Sequence, residues 1–221
     1  MRIIKALIPV RAGSQRVKNK NIRPFAGKSL LQVKIEQLKR VPGIDEVIVN
    51  SDCHDMLSLA ESCGVTPQLR DPKYASNTIP MNDVWCHLAE VTDCDDILYT
   101  NCTNPLVSDN SYDECLKSYL DLPEGYDSLT TVNNVQEYLW LGDSAVNYDP
   151  SSHPRSQDLP VYHALNFAIS IIPRDLMIRN KSILGNRFYR HVIPNVEAID
   201  IDTPDDFLIA ESAYLKLSRR D

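Results

Sequence analysis

From Ile3 to Thr100 the chain alternates short apolar runs with segments of helical period, and this rhythm restricts the fold more than any other feature. Ile3–Pro9 is almost wholly apolar, as a strand buried on both faces must be. In Leu30–Arg40, Leu31, Ile35 and Leu38 share one helical face, Lys34, Glu36 and Lys39 lie elsewhere, and Pro42-Gly43 stops the helix. Glu46–Ser51 reads as a second strand. Asp52 is expected to cap a helix that turns Met56, Leu59 and Ala60 inward and ends at Gly64. Thr66–Leu69 is a further strand, Arg70–Pro80 a polar loop, Met81–Val91 a helix and Asp96–Thr100 a strand. Four strands separated by three helices at this spacing predict right-handed βαβ crossovers, hence an α/β fold with a doubly wound, mostly parallel sheet. Ligands of such sheets sit beyond the carboxyl ends of the strands, which singles out the loops beginning at Val10, Ser51, Arg70, Asn101 and Ile201.

With 221 residues, 43% of them hydrophobic, the chain suffices for one core, so residues 1–221 are expected to form a single domain. The formal charge of -7 argues against nucleic acid as a partner, and any bound anion needs a local basic cluster. No apolar run is long enough to cross a bilayer, and Met1 runs straight into a strand pattern without a signal-peptide cleavage site, so no membrane partner and a cytoplasmic location are expected. The six cysteines, Cys53, Cys63, Cys86, Cys94, Cys102 and Cys115, include no CxxC pair and no zinc-type spacing and read as reduced thiols.

The rhythm breaks between about Asn133 and Val161, where Tyr148-Asp149-Pro150 and His153-Pro154-Arg155 interrupt any period. A stretch of this length, residues 133–161, is an excursion from the sheet and is functional or an interaction arm. Regular structure resumes at Asn166–Ile172. A final helix is expected from Pro204, with Phe207, Ala210, Tyr214 and Leu217 at helical spacing.

Two segments carry chemistry. Directly after the first strand, residues 11–21 hold four cations, Arg11, Arg16, Lys18 and Lys20, together with Gly13 and Ser14. Gly13 permits close backbone approach, Ser14 and the amides donate hydrogen bonds, and Arg11, Arg16 and Lys20 neutralise charge, so the loop suits a polyphosphate. It is neither a GxxxxGK[ST] loop nor a GxGxxG turn, which removes P-loop and dinucleotide-binding readings. Near the other end, Ala198-Ile199-Asp200-Ile201-Asp202-Thr203 spaces two carboxylates two residues apart. In an extended strand they share one face and can converge on a hard cation such as Mg²⁺. Asp205 and Asp206 are explained by a helix start.

The string Ile8-Pro9-Val10-Arg11-Ala12-Gly13-Ser14-Gln15-Arg16-Val17-Lys18-Asn19-Lys20-Asn21-Ile22, followed by Gly27-Lys28-Ser29-Leu30-Leu31, resembles the signature of the CMP-sialic acid synthetase (acylneuraminate cytidylyltransferase) and KDO cytidylyltransferase family. Further pieces agree in order: Val49-Asn50-Ser51-Asp52, Leu69-Arg70-Asp71-Pro72, Thr103-Asn104-Pro105-Leu106, Asn166-Phe167-Ala168-Ile169 and Ile199 to Thr203. The resemblance covers nearly the whole chain and is closest to the acylneuraminate branch. It implies a nucleotide-diphospho-sugar transferase-like fold and transfer of CMP from CTP to an acidic, sialic-acid-like sugar, with release of pyrophosphate. It further implies that Arg11, Ala12, Gly13, Ser14, Lys20 and Asn21 hold the nucleotide, with Arg70 near base and ribose, and that Asp200 and Asp202 bind Mg²⁺. Asn101, Thr103, His163 and Asn166 fall to the acceptor. Arg155 resembles an arginine contributed across a dimer interface, which makes the excursion a dimerisation arm and the enzyme a homodimer; Arg11, Lys20, Asp202 and Arg155 are then the catalytic set.

The chain also departs from that pattern. Gln15 replaces a frequent Lys or Arg, Asn101-Cys102-Thr103-Asn104-Pro105-Leu106-Val107 lacks a terminal arginine, and His163 and Ser170 stand near positions where sialic-acid enzymes place an Arg and a Tyr. The nucleotide half is kept better than the acceptor half. Two alternatives therefore stay open: a related nucleotidyltransferase using another nucleoside triphosphate or a sugar-phosphate or phosphonate acceptor, and a catalytically inactive nucleotide-binding subunit.

Overall fold

A computed structural model describes residues 2–14 and 16–218; Gln15 lies outside the described residues. The chain runs β1 (Ile4–Pro9), a β2–β3 hairpin (Pro24–Phe25, Lys28–Ser29), α1 (Leu30–Arg40), β4 (Glu46–Ser51), α2 (His54–Ser62), β5 (Thr66–Leu69), α3 (Met81–Glu90) and β6 (Asp96–Tyr99). It continues through α4 (Asp109–Leu120), β7 (Ser128–Val135), a β8–β9 hairpin (Trp140–Leu141, Ser144–Ala145), β10 (Tyr162–Pro173), α5 (Arg174–Asn180), β11 (Phe188–Val192) and α6 (Pro204–Leu217). Seven strands form one sheet in the order β11-β7-β10-β6-β1-β4-β5. Every pairing is parallel except the two made by β10, which runs against β6 and β7. The doubly wound, mostly parallel architecture expected from the apolar rhythm is present.

β1 pairs with β4 on one side and β6 on the other, so the chain reverses direction across the sheet at β1/β6. That is the switch point where the carboxyl ends of parallel strands open a crevice. One face of the sheet is covered by α1, whose Leu30, Leu31, Val33, Ile35 and Leu38 are buried, and by α6 through Phe207 and Ala210. Each such aliphatic side chain contributes roughly 1.5–3 kcal/mol over an exposed position. Capping boxes start both helices: Ser29 with Gln32 for α1, and Thr203 with Asp206 for α6, where Pro204 occupies the first turn.

Several expectations need correction. Asp52 does not cap α2; Cys53 is the N-cap, without a side-chain bond, and the Asp52 carboxylate instead accepts from the Ala12 amide at 3.0 Å. Asp200 and Asp202 are not in a strand. They lie in a loop before α6, because Asp206 draws the Asp202 and Thr203 amides into the capping box and ends any extended ladder. Lys34, expected off the core face, is fully buried.

The excursion is also shorter than 133–161. β7 continues to Val135 and β10 begins at Tyr162, pairing through Asn134↔His163 and Asn133↔Ala164. These residues read as irregular because the ribbon projects past the helical layers, so its polar side chains face water instead of alternating over a core. Beyond it, Tyr138, Tyr148 and His153 pack ring on ring, with Tyr138 and His153 stacked at 4.6 Å. Among the described residues no helix is long and apolar enough to cross a membrane, and all six cysteines are free.

Candidate active site

A cleft of about 580 Å³ opens at the β1/β6 switch point. This is a volume suited to a small-molecule ligand. The loop after β1 forms its floor. Val17, buried in the core, pins the loop, and the amides of Ile22 and Arg23 both donate to the Asn19 carbonyl, where Asn19 turns through φ +54°. Gly13 has φ +78°, a left-handed conformation that a side chain would strain although nothing stands within 4 Å of a Cβ built there. The backbone therefore passes bare along the cleft. Asn21 is buried; its carbonyl accepts from the Leu31 amide, and its side chain reaches the Arg11 carbonyl at 3.4 Å and Cys102 Sγ at 3.3 Å. Burial pushes the Cys102 thiol up to about 12, so it is inert as a nucleophile.

The cations of this loop face the loop before α6. Arg16 donates to Asp202 at 2.9 Å, and Lys20 donates to the Ile201 carbonyl and stands 3.6 Å from Asp202. Asp200 is open to solvent on one side yet crowded by protein on the other. Partial desolvation, opposed by a hydrogen bond from Thr103 and reinforced by the neighbouring Asp202, holds its carboxyl above the usual range.

The opposite wall comes from the loop after β5. Arg70 is buried, with Nε 2.6 Å from Asn50 Oδ1 and a terminal nitrogen 2.9 Å from the Asn50 carbonyl. Desolvation lowers its pKa without approaching neutrality. Tyr74, Ser76, Asn77 and Ile79 follow, and Arg11 joins the two walls by donating to the Ala75 carbonyl at 2.9 Å. Tyr74 is fixed from behind by His87, whose ring stacks on it at 3.9 Å and 8°. Tyr99, Met81 and Val84 complete the apolar side. Sequence reasoning missed these wall residues; the one signal available was that their loop follows a strand.

Arg11, Gly13, Ser14, Lys20, Asn21, Arg70, Asn101, Thr103 and Asp202 thus line one cavity. Ala12 belongs to the same loop, with its amide held by Asp52. Asn166 is not among the lining residues; it accepts from Thr131 at 2.6 Å and from the Ala168 amide at 3.2 Å across a bulge where Phe167 has φ +52°. Asn101 reaches the Phe167 carbonyl at 3.5 Å. His163 and Arg155 do not join the cavity of their own chain. His163 is exposed on the β7–β10 ribbon, and Arg155 pairs with Asp158 at 2.9 Å on the excursion. Ser170 is buried against Thr130 and is not a ligand contact.

The donor set at the cleft suits a hard cation only in company. Among the described residues no cluster of three or more His, Cys, Asp or Glu could hold a metal. Asp202 lines the cleft, whereas Asp200, two residues earlier in the same loop, does not; a donor set of this kind fits Mg²⁺, which takes one or two carboxylates and fills its shell with water and substrate phosphates.

The family model described as cytidylyltransferase matches residues 5–210. The N-acylneuraminate cytidylyltransferase of Escherichia coli is 26% identical over 98% of this chain and 53% of its own length. The CMP-N,N'-diacetyllegionaminic acid synthase of Legionella pneumophila is 27% identical over 96% of this chain and 95% of its own. The chain spans about half the length of the N-acylneuraminate cytidylyltransferases it matches. Among solved structures, CMP:2-keto-3-deoxy-manno-octonic acid synthetase complexed with CTP superposes with a TM-score of 0.70 at 17% identity, covering 97% of this chain and 99% of that one. A cytidylyltransferase from Leptospira borgpetersenii superposes with a TM-score of 0.64 at 18% identity, covering 97% and 88%.

Proposed function

The chain belongs to the cytidylyltransferase family, and from that premise we propose that it transfers CMP from CTP to a sialic-acid-like nonulosonic acid and releases pyrophosphate. The observation that carries this reading is the basic, glycine-containing loop at the carboxyl end of β1, set directly across from Asp202. Relatives named for CMP-N-acylneuraminate and CMP-legionaminate chemistry support the choice of an acidic sugar.

In the proposed reaction a sugar hydroxyl attacks the α-phosphorus of CTP in line, the bond to the β-phosphate oxygen breaks, and the hydroxyl proton is lost to solvent. Such a step needs positioning and charge neutralisation more than covalent help. Arg11 and Lys20 neutralise the departing pyrophosphate, the Gly13 and Ser14 amides donate to phosphate oxygens, Ala12 is held by the hydrogen bond from its amide to Asp52, and Asn21 braces the loop. Arg70 presents its remaining N–H groups toward base and ribose. Asn101 and Thr103 orient the acceptor with Asn166 behind them. Magnesium, held by Asp200 and Asp202, supplies further charge neutralisation when bound with the nucleotide.

A homodimer is part of the proposal. The excursion and ribbon expose Trp140, Leu141, Val146, Val161, Tyr162 and Leu165, an apolar surface expected of an interface. A second copy seated there would bring Arg155 and His163 toward its partner's cleft. Among the described residues no helix is long and apolar enough to cross a membrane, and the acidic charge disfavours nucleic acid as a partner. The test is a pyrophosphate-release screen of CTP, GTP, UTP and ATP with Mg²⁺ against a panel of ulosonic and nonulosonic acids. Release with CTP and a nonulosonic acid is expected; release only with another triphosphate or with a sugar phosphate would replace this reading.

A further inference from the structure

Helix α1 directs two polar side chains into the protein, Lys34 and Gln37. Lys34 is fully buried, and both hydrogen-bond partners of its Nζ are neutral: the Asn104 carbonyl at 2.9 Å and the Tyr112 hydroxyl at 2.7 Å. Burying an ammonium costs several kcal/mol, and a methionine would fill similar space without that cost, so packing alone does not account for the amine. Burial lowers its pKa to about 7, opposed by Cys102, Glu197 and Asp109.

Two hydrogen-bonded arms leave this amine, one toward each half of the cleft. In the first, Lys34 and Gln37 together hold the carbonyls of Asn104, Pro105 and Val107, the last two at 2.8 and 2.9 Å. Buried carbonyls require such donors. The far side of the same segment supports the carboxylate loop: Asn104 donates to the Ile199 carbonyl at 3.3 Å, and the Ile201 amide donates to the Thr103 carbonyl at 2.9 Å. In the second arm the Thr100 hydroxyl donates to the Ala168 carbonyl at 2.7 Å, so the Tyr112 hydroxyl, 2.8 Å away, must donate to Thr100 and accept from Lys34. That arm ends beside the Phe167 bulge, which Asn101 also grips.

We propose that Lys34 is a positioning residue for the transfer reaction, holding the Asp200–Asp202 loop and the Phe167 bulge in fixed relation across the cleft. It touches neither substrate. The inference rests on the function proposed above, and it is tested first without turnover. Lys34→Met should keep wild-type affinity for metal-free CTP by calorimetry, because the polyphosphate loop and Arg70 are untouched. In the presence of CTP, its affinity for Mn²⁺, read from the free-ion paramagnetic signal, should fall about tenfold or more, the usual effect of removing an outer-shell support. Turnover, where measured, should show a lower kcat at unchanged KM for CTP. Wild-type Mn²⁺ affinity in folded Lys34→Met overturns the proposal, as does a wild-type protein that binds no Mn²⁺ with CTP. A wild type that binds Mn²⁺ and CTP but releases no pyrophosphate defeats the function proposed above and leaves this comparison decisive. Should Lys34→Met not fold, Tyr112→Phe cuts only the second arm: a raised KM for the acceptor with unchanged Mn²⁺ affinity supports the proposal, and an unchanged KM overturns it.

Discussion

The guanidinium of Arg16 donates to the Asp202 carboxylate at 2.9 Å and so closes a contact between residues 186 positions apart. Both side chains are largely exposed, and such a pair adds little to stability. Its consequence is electrostatic. In the free protein the cations of the β1 loop and the acid before α6 neutralise one another, with Lys20 as the second partner. Polyphosphate and metal can then replace these partners without leaving a charge exposed to its own sign.

Asp202→Asn should therefore separate binding from chemistry. Metal-free CTP affinity is expected to stay the same or tighten, because Arg16 and Lys20 lose a competing anion. The kcat should fall about a thousandfold or more, since the transition state needs the cation more than the ground state does. Asp205→Asn is the control: it affects only the first turn of α6 and should cost about 0.3–1 kcal/mol in urea unfolding, with kcat kept. Near-wild-type turnover of Asp202→Asn at saturating Mg²⁺ would remove it from the metal site.

Arg11→Ala and Lys20→Ala should weaken CTP binding by roughly 10- to 100-fold each, the effect of losing one charge-assisted hydrogen bond. Arg11→Ala should melt close to wild type, because Arg11 is exposed, whereas Lys20→Ala, which removes a largely buried side chain bonded to the Ile201 carbonyl, should lose some stability as well. Isothermal titration decides the matter. Unchanged affinity in both would take the loop out of the nucleotide site.

The parts of this site legible in the sequence are those where local pattern and tertiary position coincide. Residues 11–21 could be read because a loop after the first apolar strand of a parallel sheet has one possible location, and its composition states its charge. The same rule singles out the loop beginning at Arg70, but not Tyr74, Ser76 and Asn77 within it, since nothing in its composition distinguishes a cleft wall from a solvated loop. Strand alternation predicts that Asp200 and Asp202 turn to one face, and that reason does not hold: both stand in the loop before α6, where the Asp206 carboxylate takes the Asp202 and Thr203 amides. Lys34 misled in the opposite direction. Helical period assigned a lysine to the solvent side, and only the tertiary arrangement of Asn104 and Tyr112 supplies the partners that let it stay inside. α4, α5 and β11 escaped notice as well. β11 joins the edge of the sheet with three of its five residues partly buried and two exposed, a pattern weaker than the apolar runs of β1 and β6.

Light scattering should give twice the mass of the chain. If Arg155 completes the partner's site, Arg155→Ala and Asp202→Asn are each inactive alone, and mixing them after dissociation and reassociation should restore up to about a quarter of wild-type activity, carried by the one intact site in each mixed dimer. Leu141→Asp, at the most exposed apolar position of the arm, should shift the mass toward the monomer. A monomeric mass for the wild type at assay concentration would defeat the arrangement.

The buried amine also gives stability a defined pH dependence. An ordinary lysine titrates near 10.5, whereas burial brings Lys34 to about 7 in the folded chain. Between those values the unfolded chain binds a proton that the folded chain does not. Native stability due to this group is therefore fully present above 10.5 and is lost as pH falls toward 7. The slope for one such proton is about 1.4 kcal/mol per pH unit. Other groups titrate in the same range, notably cysteines, so the informative quantity is the difference between wild type and Lys34→Met. Urea unfolding at about pH 7 and pH 9 should show that difference moving toward wild type by about 2–3 kcal/mol as the pH rises. Parallel stability curves for the two proteins would mean that Lys34 keeps an ordinary pKa, and that its ammonium remains charged inside the fold throughout this range.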